Sequence, residues 1–161
     1  MAEGKIRIPK DKVKLIKELT DGDSDKKVFD SMADCMTFSA AYGYSRDKRI
    51  SFNETAADPI RYHIFEGRNY DTLFHLLAMY IENDSHVLGD TDEMFRKRAT
   101  IFEEYANGGL DLLQYELSNC SDAIEPLFTI ISKQINKNDR SYKNDSDSDS
   151  DGGFDIDDLE I

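Results

Sequence analysis

The sequence has few of the residues and patterns on which chemistry at a protein site usually depends. Its two cysteines, Cys35 and Cys120, lie far apart, and neither has a cysteine or histidine neighbour at a metal-binding spacing. The three histidines match no zinc pattern, and there is no nucleophile-elbow, Walker-type or Rossmann glycine motif. We therefore predict no catalytic residue, no metal site and no cofactor, and we expect the protein not to be an enzyme.

Long apolar runs are missing as well. No window approaches the roughly 20 apolar residues that a membrane-spanning helix needs. Charged residues from Glu3 and Lys5 onward leave no room for the apolar core of a signal peptide. Two widely separated cysteines are typical of a reducing compartment. Together these features predict a cytoplasmic protein that has no membrane partner.

The formal net charge of −13 is distributed unevenly along the chain. Residues 1–17 carry six basic and two acidic residues, whereas residues 136–161 carry nine acidic and three basic ones. A run of like charges attracts partners of the opposite sign. The two ends of the chain are therefore expected to favour different partners.

Helical periodicity dominates the chain between these ends. Apolar residues recur at spacings of three and four in several segments, most clearly in "NYDTLFHLLAMYIEN", where the stripe comprises Leu73, Leu76, Leu77, Tyr80 and Ile81. Alternation in "KIRIP" predicts a short strand before the first helix. The sequence thus predicts a mainly α fold, a compact multi-helix single domain over residues 1–135 with a short N-terminal β-strand.

The composition changes abruptly at residue 136. A Ser-Asp repeat and a scarcity of apolar residues predict a disordered acidic tail over residues 136–161, because burial could not offset its ordering entropy. The last eight residues alternate acids with apolar side chains, a pattern suited to docking in a basic, apolar-lined groove of a partner protein. The candidate docking residues are Phe154, Ile156, Leu159 and Ile161. Two alternatives remain: the acids fold back on the basic N-terminus, or they only solvate the chain.

The basic N-terminus offers a candidate DNA-binding segment. A strand, a helix, a turn-rich gap and a second helix follow one another within residues 1–45, which is the element order of a ribbon-helix-helix module. In such a dimer, strands from two subunits pair and enter the major groove. The candidate DNA-binding residues are Lys5, Arg7, Lys10, Lys12 and Lys14. Against this interpretation, the gap between the helices is long, and lysines on a surface helix often serve only solubility.

The stretch "IFEEYANGGLDLL" first looks like a site, because two adjacent carboxylates precede a tyrosine, an amide and two glycines. On a helical wheel Glu103 and Glu104 point about 100° apart and lie away from the apolar stripe. We therefore expect both glutamates to be solvated. Asn107, Gly108 and Gly109 are expected to form a structural corner that ends one helix, so that Leu110 begins another.

Four segments carry a resemblance to a known family: "RIPKDKVKLIKEL", "MADCMTFSAAYGYSRDKRI", "DPIRYHIFEG" and "IFEEYANGGLDLL". Together they span most of residues 7–117 in family order. The chain resembles the DNA phosphorothioation-associated protein 4 family, also called dnd system-associated protein 4. These are small bacterial proteins encoded beside DNA sulfur-modification and restriction genes. The acidic tail lies outside this pattern.

The resemblance implies a cytoplasmic accessory component of a DNA phosphorothioation-linked modification and restriction system that serves antiviral defence. It supplies no catalytic residues. The expected partners are protein subunits of that system, with DNA contacted directly or through the partner. The first hypothesis is a non-enzymatic protein that binds a larger DNA-processing subunit. The alternative is a ribbon-helix-helix-like transcriptional regulator that acts as a homodimer. A nuclease would need a carboxylate cluster assembled from several helices, of which the sequence gives no specific sign.

Overall fold

A computed structural model describes residues 3–146 of the chain, with side chains described as far as Lys137. These residues contain six α-helices, two short 3₁₀ turns and a two-stranded sheet, which confirms the predicted mainly α class. In chain order the elements are β1 (Lys5–Ile6), a 3₁₀ turn (Lys10–Lys12), α1 (Val13–Thr20), α2 (Met32–Ser45), β2 (Ile60–Arg61), α3 (Tyr62–Glu66), α4 (Asp71–Glu82), a second 3₁₀ turn (Ser85–Leu88), α5 (Asp92–Leu117) and α6 (Ile124–Ser146).

The predicted N-terminal strand is present, and its partner lies within the same chain. β1 pairs antiparallel with β2, so that Lys5 lies opposite Arg61 and Ile6 opposite Ile60. Ile6 and Ile8 are buried, as their alternation with charged residues predicts. The strand therefore closes over the helices with its apolar face inward.

The longest helix of this part of the chain, α5, packs along α2 and forms the centre of the core. Thr91 caps it by accepting a hydrogen bond from the Met94 amide at 3.2 Å. A stack of aromatic rings then fills the space between α5 and its neighbours, with Phe74 of α4 and Phe102 of α5 parallel at a centroid distance of 3.8 Å. The sequence predicted both α4 and α5, and their packing positions the side chains of the candidate site.

The predicted corner at Asn107, Gly108 and Gly109 is wrong. α5 continues through all three residues to Leu117, and no glycine in the described part of the chain has a positive φ. A Cβ at Gly108 would overlap the main-chain oxygen of Lys48, and one at Gly109 would overlap that of Ser39. The two glycines therefore allow α2 and α5 to cross closely, because without side chains they let the backbone of α5 approach that of α2 and of the loop after it.

Gly43 of α2 makes the same crossing from the other side. A Cβ there would overlap the main-chain oxygen of Tyr105 in α5. Gly43 lies within α2, which continues to Ser45. Asn107 is buried beside this contact and donates from Nδ2 to the Ile50 oxygen at 3.2 Å. The crossing thus also ties down the loop that follows α2.

The chain divides into two units, residues 1–124 and 125–161. The second unit begins within α6, which is helical to Ser146. Residues 136–146 of the predicted tail therefore lie in this helix, whereas residues 147–161 lie outside the described residues. Within residues 3–146 no helix is both long and apolar enough to cross a membrane.

Candidate functional site

Glu103, predicted to face water, is fully buried and holds the N-terminal strand. Its Oε1 accepts the main-chain N–H of Arg7 at 2.7 Å, and its Oε2 accepts the Arg7 Nε and Nη2 at 2.9 and 2.7 Å. Arg96 lies two turns earlier on α5, and its Nη1 is 3.6 Å from the same carboxylate. A buried carboxylate needs this neutralisation. Arg7 is thus committed to an ion pair within the chain.

These contacts also occupy the second edge of β1. Arg96 donates from Nη2 to the Lys5 oxygen at 2.8 Å, on the same edge as the Arg7 amide that Glu103 accepts. β2 occupies the other edge. A ribbon-helix-helix dimer needs one free edge of this strand for the second subunit, and neither edge is free. In this fold, the alternative in which β1 pairs between subunits thus lacks a free strand edge.

The other candidate DNA-binding residues have different surroundings. Lys12 is buried, and its Nζ contacts Asp11 at 2.8 Å and Asp111 of α5 at 3.4 Å. Lys10 lies 3.8 Å from Glu54. Lys5 and Lys14 are exposed. Of the five residues predicted to contact DNA, Arg7 and Lys12 are thus engaged inside the protein.

Asp111 and Glu104 extend the ionic contacts along α5. The Lys48 Nζ lies 2.6 Å from Asp111, and this hydrogen bond, with the charge of Lys12, holds the pKa of Asp111 below its usual range. Glu104 accepts from the Arg49 Nε at 2.6 Å. Adjacent Glu103 and Glu104 therefore point to different partners, as their 100° separation on the wheel predicts.

Neither Cys35 nor the predicted docking residues of the tail form a site in the described part of the chain. Burial raises the pKa of the Cys35 thiol to about 12, so the reactive thiolate is strongly disfavoured. The tail residues Phe154, Ile156, Leu159 and Ile161 lie outside the described residues. Neither set supplies a site that can be built from contacts.

The most distinctive exposed feature of the first unit lies on α4. Its buried stripe consists of Phe74, Leu77 and Ala78. On the opposite face, Leu76 is 62% exposed and Tyr80 is 69% exposed, and Met79 lies beside them. The predicted stripe combined residues of both faces, because Leu77 is buried whereas Leu76 and Tyr80 are exposed. This helix carries more apolar surface than the core uses.

Tyr44 of α2 extends this outer face. Its ring meets that of Tyr80 edge to face at a centroid distance of 5.4 Å, and that of buried Tyr105 at 5.7 Å. The exposed tyrosine of α4 is therefore held by a chain of aromatic contacts that reaches the core. We call the set Leu76, Met79, Tyr80 and Tyr44 the α4 surface. Sequence periodicity found the helix but could not show which of its two apolar faces would stay outside.

Comparison with known proteins gives the chain its family. A search of the curated proteins and a search of the solved structures found no match. A family model described as DNA sulphur modification system-associated protein 4 matches residues 5–150. That range takes in β1, the α2–α5 crossing and the α4 surface, and it includes the four segments that carried the resemblance in the sequence. The chain belongs to the DNA sulphur modification system-associated protein 4 family.

Proposed function

We propose that this protein is a non-enzymatic accessory component of a DNA sulphur modification system and that it binds a larger, DNA-processing subunit of that system through the α4 surface. The observation that carries the proposal is the second apolar face of α4. Contiguous exposed apolar side chains on a folded unit mark interaction sites more often than isolated ones do.

The composition of the α4 surface supports a protein as the occupant. Tyrosine and methionine are enriched at protein interfaces, and a tyrosine braced by neighbouring rings loses little side-chain freedom on binding. Leu76 and Tyr80 lie one helical turn apart, the spacing at which a helix or loop of a partner can contact both. Membership of the family supports a subunit of the DNA sulphur modification system as that partner.

The alternative regulator function has less support. It required a free strand edge and a set of basic side chains facing outward, and β1 is paired on both edges while Arg7 and Lys12 are bound to carboxylates. Two of the five residues predicted to contact DNA, Arg7 and Lys12, are engaged by carboxylates of the same chain. These intramolecular contacts favour an indirect association with DNA, through the partner protein.

Co-purification tests the proposal. The protein is expressed with the subunits encoded beside it, and captured proteins are identified by mass spectrometry. We expect a DNA-processing subunit to be recovered with the native protein and lost with the double variant Leu76→Glu, Tyr80→Glu. Charged side chains there oppose burial of the surface in an interface.

The matched control is Tyr115→Glu. Tyr115 is 80% exposed on α5, so this variant changes a tyrosine of similar exposure at a different place on the first unit. It should leave recovery unchanged. Equal recovery with the native protein and the α4 double variant, or equal loss with both variants, would contradict a specific role of the α4 surface.

A further inference from the structure

The last described helix, α6, carries a continuous apolar stripe that faces solvent. Four of the twelve large apolar side chains that are exposed in the described part of the chain lie on it, each between 45% and 70% exposed: Ile124, Phe128, Ile131 and Ile135. We call this set the α6 stripe. Two other apolar side chains of the same helix, Leu127 and Ile130, are buried. α6 therefore has one apolar face that is buried and a second that is exposed.

The α6 stripe has the spacing of an interface between helices. Its members are separated by four, three and four residues, so they stay within about 60° of one another on a helical wheel. Alternate spacings of four and three are the heptad pattern by which two helices pack along each other. The spacing therefore indicates that a helix covers the stripe.

The same spacing makes the stripe complementary to itself. The order four, three, four reads the same in both directions, so an antiparallel pair of α6 helices aligns all its apolar layers at once. Ile124 then meets Ile135 of the second copy, and Phe128 meets Ile131 of the second copy. An interface about a two-fold axis must be complementary to itself in this way. The spacing thus favours a second copy of this chain as the occupant.

The charges along α6 permit this contact and select its direction. Residues 124–135 contain one acidic and one basic residue, so this segment does not repel its copy although the whole chain is strongly negative. Residues 136–161 carry nine acidic and three basic residues. Parallel helices would bring two such acidic segments together, whereas antiparallel helices direct them to opposite ends of the pair. Like-charge repulsion therefore favours the antiparallel arrangement.

We propose that α6 is a dimerisation helix and that two copies of the chain associate through the α6 stripe with their helices antiparallel. Association removes from water the apolar side chains that a single chain leaves exposed. The stripe spans fewer than two heptads, so the dimer is small in area and dissociates on dilution. This contact involves neither β1 nor the α4 surface. It goes beyond the function proposed above and holds whether or not the α4 surface binds a partner.

Sedimentation equilibrium of the purified full-length protein tests the proposal. Measurements cover about 1–200 μM protein, because the fraction of dimer depends on concentration. We expect the native protein to pass from monomer to dimer over this range. The double variant Phe128→Glu, Ile131→Glu should raise the dimer dissociation constant at least about tenfold, because an interface would bury the new charges. Both positions are exposed in the single chain, so circular dichroism should show an unchanged helix content.

The matched control is the double variant of the α4 surface, Leu76→Glu with Tyr80→Glu. It adds the same two charges at exposed apolar positions of another helix and should leave the dissociation constant unchanged. Any effect of the added charge on the whole protein is common to both variants. The oligomeric state and the co-purification of a partner are separate measurements, so failure of one proposal leaves the other standing.

Exchange of charge tests the direction of the pair. Ile124→Glu and Ile135→Lys should each weaken the dimer, since each places a charge against an apolar side chain. In the chain that carries both substitutions, an antiparallel pair brings each glutamate against a lysine of the second copy, whereas a parallel pair brings like charges together. We therefore expect this double variant to dimerise about threefold or more tightly than either single variant.

Three results would overturn the proposal of an α6 dimer. They are a native protein that stays monomeric over the whole concentration range, equal dissociation constants for the native protein and the Phe128→Glu, Ile131→Glu variant, and equal weakening by that variant and the α4 variant. A charge-exchanged double variant that dimerises more weakly than both single variants would exclude the antiparallel arrangement. A monomeric protein whose α6 variant loses a captured subunit would assign the stripe to another protein and also overturn the dimer.

Discussion

The α2–α5 crossing and the α4 surface differ in that only the first is closed by contacts within the chain. At the crossing, Gly43, Gly108 and Gly109 bring main chain against main chain. At the α4 surface, Leu76 and Tyr80 reach into solvent from a helix whose opposite face is buried. The difference separates apolar surface that stabilises the fold from apolar surface that is available to a partner, and substitution at each should have opposite consequences.

The largest loss in the free energy of unfolding is expected from a substitution at the centre of the α2–α5 crossing. Replacing a helical glycine by alanine normally favours the helix by about 1 kcal/mol. At Gly109 the added Cβ would overlap the Ser39 oxygen, so Gly109→Ala should instead lower the free energy of unfolding by about 3 kcal/mol or more. Urea denaturation followed by circular dichroism measures it. Gly22→Ala, where nothing lies within 4 Å of the added atom, is the control and should change little.

The next largest loss of stability is expected from breaking the ion pair between Arg7 and the buried Glu103. Arg7→Ala leaves the Glu103 carboxylate without its bidentate partner, although the Arg7 main-chain N–H remains. We expect a loss of about 2–3 kcal/mol, somewhat below that of a fully buried pair because Arg7 is partly exposed. Arg49→Ala breaks the more exposed pair with Glu104 and should cost about 1 kcal/mol or less. Equal losses in chemical denaturation would show that burial of Glu103 has no energetic consequence.

A smaller effect, dependent on pH, is expected at Asp111. Its pKa is lowered in the folded protein, so its ionised form contributes stability above the unfolded value of about 3.9, and the contribution disappears as pH falls through the lowered pKa. Asp111→Asn should therefore destabilise the protein at pH 7 by about 1 kcal/mol. Near pH 2.5 the variant and the native protein should differ little in urea midpoint. A difference that stays constant between these pH values would exclude the ionic contribution.

The smallest effect on stability is expected at the α4 surface itself. Leu76→Ser should change the free energy of unfolding by less than about 0.5 kcal/mol, because the side chain is mostly exposed in the isolated protein. Leu77→Ala, one residue further and buried, should cost about 3 kcal/mol. Thermal or urea unfolding of both variants gives the contrast directly. A large loss for Leu76→Ser would mean that this face is already covered within the molecule.

The fold class and most helices could be predicted from the sequence, because periodicity and capping are local. Contacts between distant segments could not. Glu103 looked solvated on the wheel of its own helix, and only the arrival of Arg7 makes it a buried ion pair. Likewise, Gly108-Gly109 fits a helix end when α5 is considered alone and a close crossing once α2 lies across it.

For the candidate sites too, local patterns could be predicted from the sequence, whereas contacts between distant segments could not. Arg7 and Lys12 were predicted to contact DNA, but they contact Glu103 and Asp111 of α5, which lie far along the chain. The α4 stripe was found, whereas its division into two faces depends on which side meets α5.

The bond between Arg7 and Glu103 also sets the order in which the molecule can be completed. The two residues are separated by 96 positions, so the contact closes one of the longest loops in the chain. During synthesis β1 leaves the ribosome before α5. β2 can pair with one edge of the strand earlier, but Arg96 and Glu103 reach the other edge only after α5 has emerged. The contacts that fix this second edge are therefore among the last that β1 can make.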